Sequence, residues 1–272
     1  MTSDFAAAVS LPDQEIDLAR ASLLFARDAY PDLDPGVYLA QLDVWAKAIR
    51  PAVASGQAHP PFQPLNDLLF DQLGFAGNEA DYDDPRNSYL NDVIQRRIGL
   101  PISLSAIYLE VGWRAGLPVS GVGLPGHFIV RCDHHSGTWL IDPFHHGRIL
   151  SERDCMRLML RTTGSARQLR REMLQPVSKR AILTRMLNNL KALYIQRDSL
   201  VQARPVMERL VELNPGSPED TRDLGLIHFR LGTYRLAINL LESYYALNPR
   251  AEDIESIRQV IGAARGELAR WN

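Results

Sequence analysis

The sequence predicts an α+β domain carrying a small antiparallel sheet, followed by an all-α tail of helical repeats. Three observations carry this reading. Apolar residues recur at helical spacing between residues 16 and 115, the period changes to two between residues 119 and 141, and a 34-residue spacing appears in the last third of the chain. Helices that precede strands, instead of alternating with them, point to an antiparallel sheet and not to a doubly wound parallel one. The expected limits are 1–160 for the first domain, 161–180 for a linker and 181–272 for the helical tail.

In the first domain, Leu18, Leu23, Leu24 and Ala29 form one apolar stripe, and Tyr38, Leu42, Trp45, Ala46 and Ile49 form a second after the turn from Pro31 to Pro35. Residues 55–64, rich in Gly and Pro, form a loop, and Leu65–Leu73 reads as a short helix closed by Gly74. The acidic run from Gly77 to Pro85 lacks the alternating ligands, central glycine and distal glutamate of a calcium loop, so a solvated turn is expected. Ser88–Arg97 is a helix ended by Gly99. Pro101 then opens a central helix through Leu104, Ile107, Tyr108, Val111 and Ala115, which Gly116 and Pro118 stop. Strands are expected at 119–122, 128–132 and 139–141. The stretch 161–180, with Arg161, Arg167, Arg170, Arg171, Lys179, Arg180, Gly164 and Pro176, reads as a short helix plus linker.

Leu213-Asn214-Pro215 recurs as Leu247-Asn248-Pro249, 34 residues on, which is the tetratricopeptide period. Counted back from each proline, Leu190, Tyr194 and Ala203 align with Leu224, His228 and Ala237, and Gly225 allows two helices to approach closely. Residues 253–268 then form a capping helix over the last apolar face.

The chain has 272 residues, 46% of them hydrophobic and 23% charged, with a formal net charge of -2 and a pI near 6.4. Neither sign dominates, so neither nucleic acid nor an anionic membrane is an expected partner. No run approaches a membrane span and the first residues do not resemble a secretory signal, so a cytoplasmic location is expected. Cys132 and Cys155, the two cysteines, are expected as buried, reduced thiols. No cofactor is expected.

One constellation bears chemistry. A hairpin with the loop Asp133–Ser136 sets His127 opposite Asp142 on one face of the sheet, the base and orienter of a nucleophilic triad. The nucleophile belongs at the start of the central helix, where the residues are Leu100-Pro101-Ile102-Ser103-Leu104-Ser105, without a cysteine. Cys132 lies an odd number of positions from His127 and faces the other side, and Cys155 follows the sheet. Ser103 is either a nucleophile activated by His127 or a capping hydroxyl. Asn87 and Arg131 are candidate binding residues. His127, His134, His135, His145 and His146 crowd within twenty positions, yet without an HExxH helix they read as polar loop residues and no metal site is expected.

Gly99-Leu100-Pro101-Ile102-Ser103-Leu104-Ser105, Gly123-Leu124-Pro125-Gly126-His127-Phe128 and Ile141-Asp142-Pro143-Phe144 resemble the bacterial SirB-one-type family, a papain/transglutaminase-like domain joined to tetratricopeptide repeats. The resemblance runs from the Tyr30–Asp34 turn into the repeats. It implies His127 as base and Asp142 as orienter, with the cysteine position falling at about Ile102 or Ser103. Two functions remain open: a pseudo-transglutaminase scaffold with a regulatory role, binding a protein or peptide through its groove and repeat surface, and a hydrolase or acyltransferase using Ser103, His127 and Asp142 on an amide or ester.

Overall fold

In the N-terminal helix α1 (Asp4–Val9), the Ser3 side chain accepts from the Ala6 N–H, which satisfies one orphan donor, and Phe5 and Val9 are buried. The computed structural model describes residues 3–164 and 170–270, which puts Arg167 of the basic stretch outside the described residues. Two units emerge, Leu11–Met186 and a second made of Met1–Ser10 with Leu187–Asn272. The grouping of the first ten residues with the repeats has no counterpart in the sequence pattern.

In the 11–186 unit, α2 (Leu18–Ala26) starts at Asp17, which caps the Arg20 N–H, and α3 (Pro35–Ser55) starts at Asp34, which caps Gly36. Leu42, Trp45, Ala46 and Ile49 are buried as expected, but Ala29 lies past the end of α2 and is exposed. The expected helix at 65–73 is a short α4 (Gln63–Asn66) that widens into a π turn over Asp67–Gln72. Helix α5 (Leu90–Arg96) stops earlier than Gly99 because Arg97 takes the left-handed conformation at φ 62°, freeing β2 (Ile98–Gly99) to pair in parallel with β1 (Ala76–Gly77). The acidic turn is solvated as expected over residues 79–83, and only Asp84 at its end is buried. Asp84 is 6% exposed, caps the Arg86 N–H and pairs with Arg86 and Arg96.

Helix α6 (Pro101–Ala115) is almost wholly buried and ends at Gly116, φ 92°. It lies against a four-stranded antiparallel sheet of β3 (Val119–Leu124), β4 (His127–His134), β5 (Gly137–Asp142) and β6 (Arg148–Leu150), ordered as in the chain. The β4–β5 loop has two residues and not four: His134 pairs with Gly137 and Val130 with Ile141, a register displaced by two from the expected one. A displacement of two preserves the face of every side chain, whereas a displacement of one would not. Helix α7 (Glu152–Thr163) covers the opposite face, where Cys155 and Met159 pack with Val122, Ile129, Leu140 and Leu150.

The second unit is helical throughout its described part. Helix α8 (Lys179–Gln196), which enters this unit from Leu187 on, leads into α9 (Leu200–Leu213), α10 (Pro218–Arg230), α11 (Tyr234–Leu247) and α12 (Ile254–Arg270). Ala203 and Ala237 are fully buried, and a Cβ on Gly225 would stand 2.7 Å from Leu241 Cδ2, the close helix crossing that the spacing predicts. Ile257 and Ile261 of α12 cover Leu241 and Tyr244.

Candidate active site and cleft

His127 begins β4 immediately after a tight turn in which Gly126 has φ 72°. Arg185 holds that turn: Nη1 donates to the Leu124 carbonyl (3.0 Å) and Nη2 to the His127 carbonyl (2.8 Å). Its guanidinium also lies over the Phe128 ring, 5.5 Å from the centroid.

Asp142 ends β5, where Pro143 starts a single 3-10 turn over Pro143–His145. His146 and Gly147 both take positive φ, 55° and 68°, and the Gly147 N–H donates back to the Asp142 carbonyl (2.9 Å). The reversal brings the next histidine onto the carboxylate: His145 Nδ1 lies 2.7 Å from Asp142 Oδ2, His127 Nε2 lies 3.0 Å from Oδ1, and the Phe144 N–H donates to Oδ1 (3.1 Å). The two imidazole rings are 6.0 Å apart and inclined by 28°. Asp142 is 1% exposed and His127 4%, whereas His145 is 40% exposed. One buried carboxylate therefore orients two imidazoles, one inside and one at the surface.

Burial alone would raise the Asp142 pKa, but hydrogen bonds from His127 and His145 and their charges outweigh it and bring the carboxyl to about 2. The Asp142 bond raises His145 above its ordinary value. The depressed carboxylate contributes stability that is present above its ordinary value of 3.8 and is lost as pH falls through the folded value of about 2. Denaturant melts are expected to lose roughly 2–3 kcal/mol through this group between about pH 4 and pH 2. Asp142→Asn should remove that acid-dependent step. His145 acts in the opposite sense: its contribution is present below 6.5 and fades as pH rises through its higher folded value.

Ser103 stands elsewhere in this chemistry. It is the third residue of α6 and not its N-cap, and it is fully buried. Its Oγ donates to the Asn87 carbonyl (2.6 Å) and accepts from the Leu100 N–H (2.9 Å). A Cβ on Gly99 would come within 2.7 Å of that oxygen, so the hydroxyl is packed in as well as bonded. Among the described residues no hydrogen bond joins Ser103 to His127. Ile102 is buried, and the Ser105 hydroxyl is buried without a hydrogen-bond partner.

Of the two candidate binding residues, Asn87 is fully buried; its Nδ2 donates to the carbonyls of Asp81 (2.7 Å) and Tyr82 (3.2 Å), and its Oδ1 accepts from Asn78 (3.0 Å). Arg131 is engaged with Asp133 (2.7 Å) and with the Leu174 carbonyl (3.3 Å). Asn87 clamps the loop at residues 78–82, and Arg131 ties β4 to the 3-10 turn over Arg171–Leu174.

His145 is the site residue that the sequence pattern misses, since its crowded histidines read as polar loop residues. The signal was Asp-Pro-x-His, a proline-opened turn that returns the histidine to the aspartate three positions earlier. His127, Asp142 and His145 also place potential metal-ligand atoms within 4.8 Å of one another, a grouping that the separation of the histidines along the chain hid. Beside Asp142 and His145 opens a cleft of about 130 Å³ walled by Arg148, Asp154, Arg157 and Arg161.

Residues 37–188 match the model of the transglutaminase-like superfamily, and residues 190–262 match a tetratricopeptide repeat model. A UPF0162 protein of Xylella fastidiosa (strain Temecula1) is 38% identical over 253 residues, covering 92% of this chain and 90% of the relative. The UPF0162 protein YchA of Escherichia coli is 27% identical, covering 87% and 85%. Human F-box only protein 21 is 31% identical over 175 residues, which are 61% of this chain and 27% of that protein. No solved structure matches. With more than half its length in the superfamily match and a close full-length likeness to UPF0162 proteins, the chain belongs to the transglutaminase-like superfamily, in a form that carries tetratricopeptide repeats.

Proposed function

We propose that the chain is a non-catalytic pseudo-transglutaminase: a cytoplasmic regulatory scaffold that binds a protein or peptide through its transglutaminase-like groove and its repeat surface. The resemblance to the SirB-one-type family supports this reading, with 1–160 as the groove-bearing domain, 161–180 as linker and 181–272 as repeats. The observation that carries it is the state of the Ser103 hydroxyl. A nucleophilic serine needs its proton shared with a base. Ser103 instead donates to the Asn87 carbonyl and accepts from Leu100, so its lone pair and its proton serve the start of α6.

An activated-serine probe is expected to leave Ser103 unlabelled. Ser103→Ala should cost about 1–3 kcal/mol, the loss of two buried hydrogen bonds at the start of α6, and should retain the protein's cellular role. An adduct on Ser103, or a Ser103→Ala variant that folds normally and loses all function, would replace the scaffold with a Ser103/His127/Asp142 hydrolase or acyltransferase.

A further inference from the structure

We propose that the cleft beside Asp142 and His145 binds a phosphoryl group carried by a peptide; the inference rests on the scaffold reading and assigns a ligand to this cleft. The argument begins with the charges of the wall. Arg148 comes from β6, and Arg157 and Arg161 project from one face of α7 four residues apart. Two arginines at that spacing repel each other unless an anion lies between or before them. Among the described residues no carboxylate pairs with Arg161.

The two carboxylates of the wall do not cancel this surplus. Asp142 faces the His127 and His145 rings and the Phe144 N–H. Asp154 gives Oδ2 to the Ser151 N–H (2.9 Å) and hydroxyl (2.5 Å) as the capping box of α7. Its Oδ1 stands 3.1 Å from Arg157 Nη2 and 3.6 Å from Arg148 Nη2, so one oxygen draws two guanidinia to the same side of the cleft while each keeps further donors. His145, raised by its bond to Asp142, stands at the rim with Nε2 3.7 Å from Glu79 Oε1, so it brings charge to the cleft and no free donor.

A divalent cation fits this wall poorly. Three guanidinia line its approach, and both Asp142 oxygens already accept from N–H groups or face imidazole nitrogens at hydrogen-bond distance. A carboxylate offers two oxygens to three arginines, whereas a phosphoryl group offers three oxygens and nearly two charges, which suits planar, forked donors. Arginine clusters are the usual readers of phosphorylated peptides.

The full chain would be titrated, by fluorescence anisotropy, with a randomised phosphoserine-centred peptide pool and with the same pool carrying serine. Inorganic phosphate would serve as competitor. Binding of the phosphorylated pool at least tenfold tighter, displaced by phosphate and weakened about tenfold in Arg161→Gln and in Arg157→Gln, is expected. Both arginines are surface residues, so the variants should melt like the parent, which a thermal scan checks. Equal binding of the two pools, insensitivity to both variants, phosphate binding without preference for the phosphorylated pool, or zinc binding that competes with phosphate would each overturn the proposal. The serine-probe experiment fails or succeeds independently: an unphosphorylated peptide held by an unlabelled chain leaves the scaffold standing without its phosphoryl ligand.

Discussion

His127→Ala is expected to lower the stability of the 11–186 unit by about 2–3 kcal/mol, the cost of stripping one partner from a buried ionised group. The carboxylate left behind is 1% exposed and keeps the His145 ring and the Phe144 N–H, so the loss stops short of the roughly 3–5 kcal/mol typical of a buried charge left without its partner. In a unit of this size that corresponds to a fall in Tm of roughly 4–12 °C. His145→Ala alone should cost less, because that ring is 40% exposed and water can replace it. The double variant should then cost more than the two single losses added together, since only there does Asp142 lose both imidazoles. Additive losses in a double-mutant cycle would mean that Asp142 is served by other groups and that the two rings act separately.

Gly147→Ala is expected to be strongly destabilising, at roughly 2–6 kcal/mol. Gly147 has φ 68°, and a Cβ there would stand 2.6 Å from Asn66 Oδ1 and 2.6 Å from the Phe70 ring. Backbone strain of about 1–3 kcal/mol adds to an overpacking cost of about 1–3 kcal/mol. The same substitution at Gly56, φ 63° with nothing within 4 Å of the added carbon, isolates the strain and should cost only about 1 kcal/mol. Because Gly147 closes the turn that carries His145 back to Asp142, the variant should also lose the upward shift of His145, readable by NMR titration. A Gly147→Ala protein as stable as Gly56→Ala would show that Asn66 and Phe70 move aside easily.

The pairing of His127 with Asp142 was legible because strand periodicity is two: the loop has two residues where the sequence predicts four, and a displacement of two leaves both side chains on one face. The 34-residue spacing was equally readable, since it arises from helix pairs that repeat the same crossing at Ala203 and Ala237. His145 was not legible, because its contact depends on a proline, a left-handed residue and a glycine acting together over six positions. Nor was the part played by Arg185, whose bonds to the turn before His127 span about sixty residues. The acidic run is a solvated turn over residues 79–83, as its composition indicates, but composition cannot show that Asp84 meets Arg86 and Arg96. The paired strands at Ala76–Gly77 and Ile98–Gly99 are too short for any periodicity to register.

The two thiols make the sheet its own reporter. Cys132 sits on the side of β4 that faces α6, and Cys155 sits in the layer that α7 lays over the opposite side; both are fully buried, and burial pushes them to about 11 and about 12. Neither can react with an alkylating reagent while its layer is closed, because the thiolate is both hidden and scarce. The alkylation rate of each cysteine is therefore a clock for the opening of one side only. If α7 lifts away before the core beneath α6 loosens, Cys155 will be modified first, and mass spectrometry of a single sample will time the two layers separately without any engineered label.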